Sequence, residues 1–143
     1  MTDVIHHVPD ISMMFKEFYR ILKPRGKICI LTESHEQIET RFWSDYFPAT
    51  VTAEKERYPS LPDIISAAKQ YKLKLDENMN TDREQVFTIT PDFFGLIENK
   101  GYSMFQLISD EEFSDGLKRL TEDYKSQIQI RSNHGETLLW FEK

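Results

Sequence analysis

The segment "RILKPRGKICIL" (residues 20–31) joins the end of a helical pattern to a run of consecutive apolar residues. Pro24 cannot continue a helix, and Gly26 allows a tight turn directly after it. The run "KICIL" that follows is a short run of consecutive apolar residues. Such a run is typical of a strand that is buried on both faces, in a parallel sheet covered by helices. The segment therefore predicts a helix–turn–strand unit of a layered α/β domain.

The residues before this segment form an amphipathic helical pattern that begins at Asp10. A short carboxylate at this position is a good N-cap, because it accepts the free amides of a first helical turn. The apolar side chains recur at helical spacing and predict a helix of about three turns; they are Ile11, Met14, Phe15, Phe18 and Leu22.

Further elements are predicted from capping residues and from apolar periodicity. Helices are predicted over residues 36–47, ended by Pro48, over 61–71, from Thr90 and from Ser109, with residues 49–61 as an irregular connection. A strand is predicted in "LKLDEN" (73–78). Two strand-like runs surround Asn133-His134-Gly135, a turn signal at hairpin spacing.

Composition excludes several classes of function. The chain has 143 residues, 39% hydrophobic and 29% charged, which fits one globular domain. The net charge of −6 provides no basic face for nucleic acid. No apolar run approaches the ~20 residues of a membrane span. A single cysteine, Cys29, forms no intrachain disulfide, so we expect a cytoplasmic protein.

The segments "DVIHHVPD" (3–10) and "FKEFYRILKPRGKICI" (15–30) resemble class I S-adenosylmethionine-dependent methyltransferases, most closely the small-molecule type that includes quinone-biosynthesis enzymes. The resemblance implies a Rossmann-like α/β fold. It makes "KICILTE" (27–33) the fifth strand of the family, residues 73–78 the sixth, and "ETLLWFEK" (136–143) the last, antiparallel strand.

The chain departs from the family where the family binds its cofactor. The glycine-rich turn of the family's first half has no counterpart, because the five glycines never form Gly-x-Gly. The expectation is a C-terminal portion, a single partial domain over 1–143 with a helical insertion at 80–130. Without most of the fourth strand, the strand edge at 27–32 would be exposed, so we expect self-association, such as a dimer, through it.

His6 and His7 are the first candidate site residues. Neighbours on an extended segment point in opposite directions, and Cys29, His35 and His134 form no ligand motif, so no metal is expected. The resemblance implies that the two histidines border the methyl-transfer pocket, where one acts as a general base. The alternative is that one imidazole packs under the adjacent helix while the other is solvated.

Thr2 and Asp3 stand where the family's fourth strand ends, and strand ends are where α/β sheets bind ligands. The resemblance implies contact with S-adenosylmethionine here. The alternative is a frayed terminus.

An aromatic-rich segment after the fifth strand is the candidate substrate site. The residues that would line a pocket for an apolar or acidic acceptor are Trp43, Tyr46, Arg57 and Tyr58. The alternative is that they form core and a surface salt bridge. Overall, the resemblance implies methyl transfer from S-adenosylmethionine to a small-molecule acceptor. The competing hypothesis is a non-catalytic remnant or interaction module that associates through its sheet edge.

Overall fold

The computed structural model describes the backbone of residues 1–143 and every side chain except that of His134. The protein has an α/β fold in two compact units. The first unit contains Met1–His35, Arg57–Asp82 and Gly135–Lys143; the second contains Glu36–Glu56 and Arg83–His134. The chain therefore passes between the units four times, and each unit is built from segments distant in sequence.

The elements follow one another along the chain in this order: a 3₁₀ turn Ile5–His7, α1 Ile11–Ile21, β1 Lys27–Thr32, α2 His35–Glu39, α3 Phe42–Tyr46, α4 Pro48–Arg57, α5 Leu61–Gln70, β2 Lys74–Asn80, β3 Arg83–Phe87, α6 Pro91–Glu98, a 3₁₀ turn Ser103–Gln106, α7 Asp110–Lys125, β4 Ile130–His134 and β5 Thr137–Glu142.

The predicted first helix and the turn after it are confirmed. The Asp10 carboxylate accepts the Met13 amide at 2.9 Å, which satisfies one of the free donors of α1. After the helix, Arg25 takes the left-handed backbone conformation, with φ 64°. A Cβ at Gly26 would lie 2.8 Å from the Lys23 carbonyl oxygen. Glycine is therefore needed here for close approach of the backbone.

The first unit is built on a three-stranded sheet in the order β1-β5-β2, with β5 antiparallel to both neighbours. This confirms the predicted antiparallel last strand. The parallel pairing expected of β1 is confined to a single bridge between Thr2 and Leu31. The core of this unit is aliphatic and phenylalanine-rich: Ile5, Phe15, Ile30, Ile64, Ala67, Ala68, Leu73, Leu139 and Phe141.

The second unit is built around aromatic side chains and the antiparallel pair β3–β4. Its buried core consists of Phe42, Phe47, Ile89, Ile97, Met104, Phe105, Phe113, Leu120 and Ile130. The capping residues predicted for its helices are confirmed: Thr90 accepts the Phe93 amide at 3.3 Å, and Ser109 forms a capping box with Glu112.

The predicted hairpin around residues 133–135 is wrong. β4 pairs with β3, whereas β5 pairs with β1 and β2. The two strands find partners from distant parts of the chain, and the residues between them carry the chain from the second unit to the first. A local turn signal cannot specify such long-range pairing.

The region after β1 also differs from the prediction. Residues 36–47 contain two short helices, and residues 48–57, expected to be irregular, form α4. Pro48 begins α4, because proline is tolerated at a first helical position, where its missing amide donor is not needed. The segment 80–130 contains the strand β3, α6, a 3₁₀ turn and α7.

Candidate functional site

The first three residues extend the edge of β1 in the first unit. The Asp3 amide donates to the Leu31 carbonyl at 3.1 Å, and the Leu31 amide donates to the Met1 carbonyl at 2.8 Å. Both candidate cofactor residues, Thr2 and Asp3, are exposed. Asp3 takes φ 48°, a left-handed conformation that non-glycine residues seldom adopt. The strand exit is therefore ordered by hydrogen bonds to β1.

An acidic pair lies at this strand exit. Burial raises the pKa of the Glu136 carboxyl, and the negative charge of Asp3 and a hydrogen bond to Asp3 raise it further. The raised pKa means that the folded protein favours the protonated form of Glu136. Sequence reasoning could not identify this pair, because its members are separated by almost the whole chain.

Thr32, the last residue of β1, has a buried side chain that sequence reasoning did not single out. It is 0% exposed, and its hydroxyl has no hydrogen-bond partner among the described residues. Polar residues that are also buried follow directly, namely Glu33 and Ser34. The carboxyl end of β1 thus has an enclosed polar character.

The expectation that the two histidines lie on an extended segment is wrong. Both belong to the 3₁₀ turn Ile5–His7. Their ring centroids lie 4.1 Å apart with planes at 48°. The His6 ring stacks on Tyr58 at 4.1 Å and 20°. His7 is exposed. The structure therefore places His6 against an aromatic ring and His7 toward solvent.

Tyr58 is the centre of a small cluster in the first unit. Its backbone carbonyl oxygen lies 2.9 Å from Nε2 of His35. The Arg57 guanidinium carbon lies 5.6 Å from the Tyr58 ring centroid, within the range of a cation–π contact. Of the four predicted substrate residues, Arg57 and Tyr58 are thus in contact with each other, and Tyr58 is also in contact with His6.

The other two predicted substrate residues, Trp43 and Tyr46, belong to the second unit. The Tyr46 hydroxyl donates to Asp123 at 2.6 Å. Burial, with this bond and the Asp123 charge, raises the pKa of Tyr46 far above its usual range. The Tyr46 carbonyl accepts the Arg119 guanidinium. Tyr46 therefore joins α3 to α7 by hydrogen bonds.

Trp43 lines a cavity of about 420 Å³ within the second unit. The cavity walls come from α3, β3, β4 and the segments around them: Arg41, Phe42, Trp43, Gln85, Phe87, Thr88, Thr90, Phe93, Tyr102 and Ser132. The volume lies within the roughly 300–1,000 Å³ range of small-molecule sites. Sequence reasoning identified Trp43 only, because β3 was not predicted.

Over the described side chains, no group of three or more His, Cys, Asp or Glu could hold a metal ion. Of the three residues considered as ligands, Cys29, His35 and His134, the last has a side chain that lies outside the described residues. None of the described helices combines the length and apolar character that crossing a membrane requires.

Comparison with known proteins places the start of the chain in a family model described as a methyltransferase domain, which matches residues 1–30. The matched residues include the 3₁₀ turn, α1 and most of β1. The match confirms, over that segment, the predicted resemblance to methyltransferases. No curated protein matches the chain.

Solved structures that resemble the chain include a putative sarcosine dimethylglycine methyltransferase from Galdieria sulphuraria, 21% identical, with TM-score 0.43, covering 96% of this chain and 49% of that one. Phosphoethanolamine N-methyltransferase 2 of Haemonchus contortus, complexed with phosphomonomethylethanolamine and S-adenosylhomocysteine, is 20% identical. Its TM-score is 0.43, and the match covers 99% of this chain and 32% of that one. The mycolic acid cyclopropane synthase CmaA1 is 16% identical, with TM-score 0.46, and the match covers 99% of this chain and 53% of that one. The chain thus spans about half or less of these structures.

The residues present account for only part of an S-adenosylmethionine site. The strand exit offers the Asp3 carboxylate and the buried Thr32 hydroxyl as polar groups. None of the glycines has a positive φ, and no two of them form a Gly-x-Gly pattern. A glycine-rich turn that cradles the cofactor is not among the described residues.

Proposed function

We propose that the chain is part of an S-adenosylmethionine-dependent methyltransferase that acts on a small-molecule acceptor. The observation that carries the proposal is the methyltransferase-domain match over residues 1–30, a segment that folds as a strand exit, a helix and a strand. On this proposal the strand exit forms one part of the cofactor site, and the protein acts in the cytoplasm.

The proposed roles follow the placement of the side chains. Thr2 and Asp3 contact the cofactor at the strand exit. When bound there, the cofactor would supply an electrophilic methyl group for transfer to the acceptor. His7, whose imidazole is exposed, or His6 takes the proton that the acceptor loses.

The residues proposed for the acceptor fall in two units, and each pair is considered by itself. In the first unit, Tyr58 stacks on His6 and lies beside Arg57. In the second unit, Trp43 lines the cavity, and Tyr46 holds α3 to α7. Holding acceptor and methyl group in line is the main requirement of this reaction, so positioning residues matter more than reactive ones.

Calorimetric titration of the full chain with S-adenosylhomocysteine tests the proposal. We expect micromolar binding. Asp3→Asn should weaken it by about tenfold or more, the typical value of a hydrogen bond to a charged group. Asp92→Asn, which removes an exposed carboxylate of the second unit, is the control and should bind as the wild type does. Absence of binding by a protein that circular dichroism shows to be folded would contradict the proposal.

A second candidate function is a non-catalytic interaction module, and the outer edge of β1 favours it. In a strand, alternate residues direct their backbone groups to the same edge, so Lys27 and Cys29 face the same edge as Leu31. Met1–Asp3 cover only the second half of that edge. The remaining backbone groups could pair with the same edge of a second copy around a twofold axis.

Light scattering over a range of concentrations separates the two candidates. The module predicts a dimer that Cys29→Pro weakens, because proline removes an amide that faces the edge. Cys29→Ser keeps the amide and is the matched control. A monomer at every concentration, together with cofactor binding, would support the methyltransferase alone.

A further inference from the structure

The cavity of the second unit has a wall of aromatic rings that contact one another. Phe42 lies 4.9 Å from Trp43, 5.3 Å from Phe87 and 5.5 Å from Phe93, measured between ring centroids. Trp43 in turn lies 5.1 Å from Tyr102. All five residues line the cavity. These spacings are those of packed aromatic side chains, so the rings present an apolar surface to a ligand.

The cavity opens to solvent on one side only of this wall. Thr88 and Thr90, which line it after β3, are exposed, whereas Phe42 and Ser132 are buried. A ligand that passes the two threonines toward the buried residues loses its hydration. That loss is favourable for an apolar group and costly for a charged one.

Arg41 brings the single charge among the described lining side chains, and a neighbouring carboxylate neutralises it. The Arg41 guanidinium pairs with Glu54 of α4, and the two side chains are only 6% and 3% exposed. Glu54 is not one of the described lining residues. Because the opposite charges are in contact, the pair presents little net charge to a ligand in the cavity.

The other polar side chains of the wall are uncharged amide and hydroxyl groups: Gln85, Thr88, Thr90, Tyr102 and Ser132. Burial raises the pKa of the Tyr102 hydroxyl, so this phenol is neutral at physiological pH. The described lining residues therefore offer an uncompensated counter-ion neither to an acid nor to an amine.

We propose that this cavity binds a neutral, mainly apolar small molecule, and that Glu54 sets this specificity by neutralising Arg41. Without the Glu54 charge, the Arg41 guanidinium becomes a buried cation in the wall and attracts anions. As the class of the methyl acceptor, this ligand rests on the proposed function. As a binding site, the cavity does not, because no lining residue belongs to the strand exit at which the cofactor is placed.

Three probes with one ring skeleton and different charges test the proposal on the full chain. At neutral pH, 2-naphthalenemethanol is uncharged, 2-naphthoate is an anion and 2-naphthylmethylammonium is a cation. In NMR titrations of the ¹⁵N-labelled wild type, we expect the alcohol to bind about tenfold or more tightly than either ion, because an ion loses hydration without gaining a counter-ion. The amide shifts should concentrate at residues of the cavity wall, namely Gln85, Phe87 and Ser132.

Glu54→Gln tests the role of the carboxylate, because it removes the charge and keeps the size of the side chain. 2-Naphthoate should bind this variant about tenfold or more tightly than it binds the wild type, and the ammonium probe should bind more weakly. A loosened fold would weaken all three probes, so opposite changes for the two ions report the charge of Arg41. Glu56→Gln, which removes an exposed carboxylate of the same helix, is the matched control and should keep the wild-type order.

The wild-type titrations can overturn the proposal without any variant. They do so if either ion binds as tightly as the alcohol, if none of the probes binds at millimolar concentration, or if the shifts avoid the cavity wall. A folded Glu54→Gln variant that keeps the wild-type order would overturn the role of Glu54. The titrations contain no cofactor, so alcohol binding by a protein that binds no S-adenosylhomocysteine would leave this inference standing and remove the methyltransferase proposal.

Discussion

Gly116 of α7 is where a single methyl group should disturb the second unit most clearly. An added Cβ would lie 2.3 Å from Cδ1 and 2.5 Å from Cε1 of Phe47, and 2.5 Å from the Tyr46 carbonyl oxygen. Phe47 is 1% exposed, stacks on Phe113 and meets Phe105 edge-to-face, so its ring has little room to move. Neither a buried ring nor a backbone oxygen can yield cheaply.

The magnitude follows from two opposing effects. Gly116→Ala gains about 1 kcal/mol of helix propensity. Overpacking a core costs about 1–3 kcal/mol, and contacts of the new methyl with both a buried ring and a backbone oxygen place this site at the upper end. We therefore expect a net loss of about 1–2 kcal/mol in the free energy of unfolding.

Gly95 of α6 provides the matched control. It is also a helical glycine, but an added Cβ there would have no heavy atom within 4 Å. Gly95→Ala should therefore gain about 0.5–1 kcal/mol from reduced backbone entropy alone. The same substitution in two helices of one unit thus has opposite predicted signs.

Urea denaturation followed by circular dichroism and tryptophan fluorescence measures both variants. The linear extrapolation gives the free energy of unfolding, and an unchanged slope shows that the unfolded state is comparable. A Gly116→Ala variant as stable as the wild type, or as stable as Gly95→Ala, would refute the close packing of α7 against Phe47.

Two further predictions concern charged groups. Arg41→Met should destabilise the protein by about 3–5 kcal/mol, because it leaves the Glu54 carboxylate buried without its cation. Lys55→Met removes the cation of an exposed pair and should change the free energy of unfolding by about 1 kcal/mol or less. Equal effects of the two substitutions in urea denaturation would count against a buried Arg41–Glu54 pair. Because the folded state raises the pKa of Glu136, its stabilising contribution is complete at pH below the unfolded value of 4.5 and is lost as pH rises through the raised folded pKa. Glu136→Gln, which stays neutral beside Asp3, should therefore gain thermal stability over the wild type as pH increases from 4 to 7, and a pH-independent difference would contradict the raised pKa of Glu136.

Local sequence signals predicted the elements that local physics determines. Asp10, Thr90 and Ser109 cap helices as predicted, since a side chain that accepts a nearby amide acts within one turn. The expectation that Pro48 is followed by an irregular segment was wrong, because proline can both end and begin a helix. The apolar pattern of residues 48–57 is too weak to decide between the two.

Long-range pairing is what the sequence could not supply. Residues 133–135 carry a turn signal, yet the strands on either side pair with partners elsewhere in the chain. For the same reason, sequence reasoning could not tell which of the predicted site residues lie near one another in the fold. His6 meets Tyr58 across the fold of the first unit, while Trp43 lines a cavity with β3, a strand that was not predicted. Burial and ring stacking of this kind arise from tertiary packing, which no window of sequence contains.

The most direct test of the methyltransferase proposal is a residue-resolved titration of the ¹⁵N-labelled full chain with S-adenosylhomocysteine, followed by amide NMR. The account predicts saturable shifts concentrated at Thr2 and Asp3 and at the carboxyl end of β1, around Thr32 and Glu33. A folded spectrum that stays unchanged at millimolar ligand, or shifts that avoid this strand exit, would contradict it.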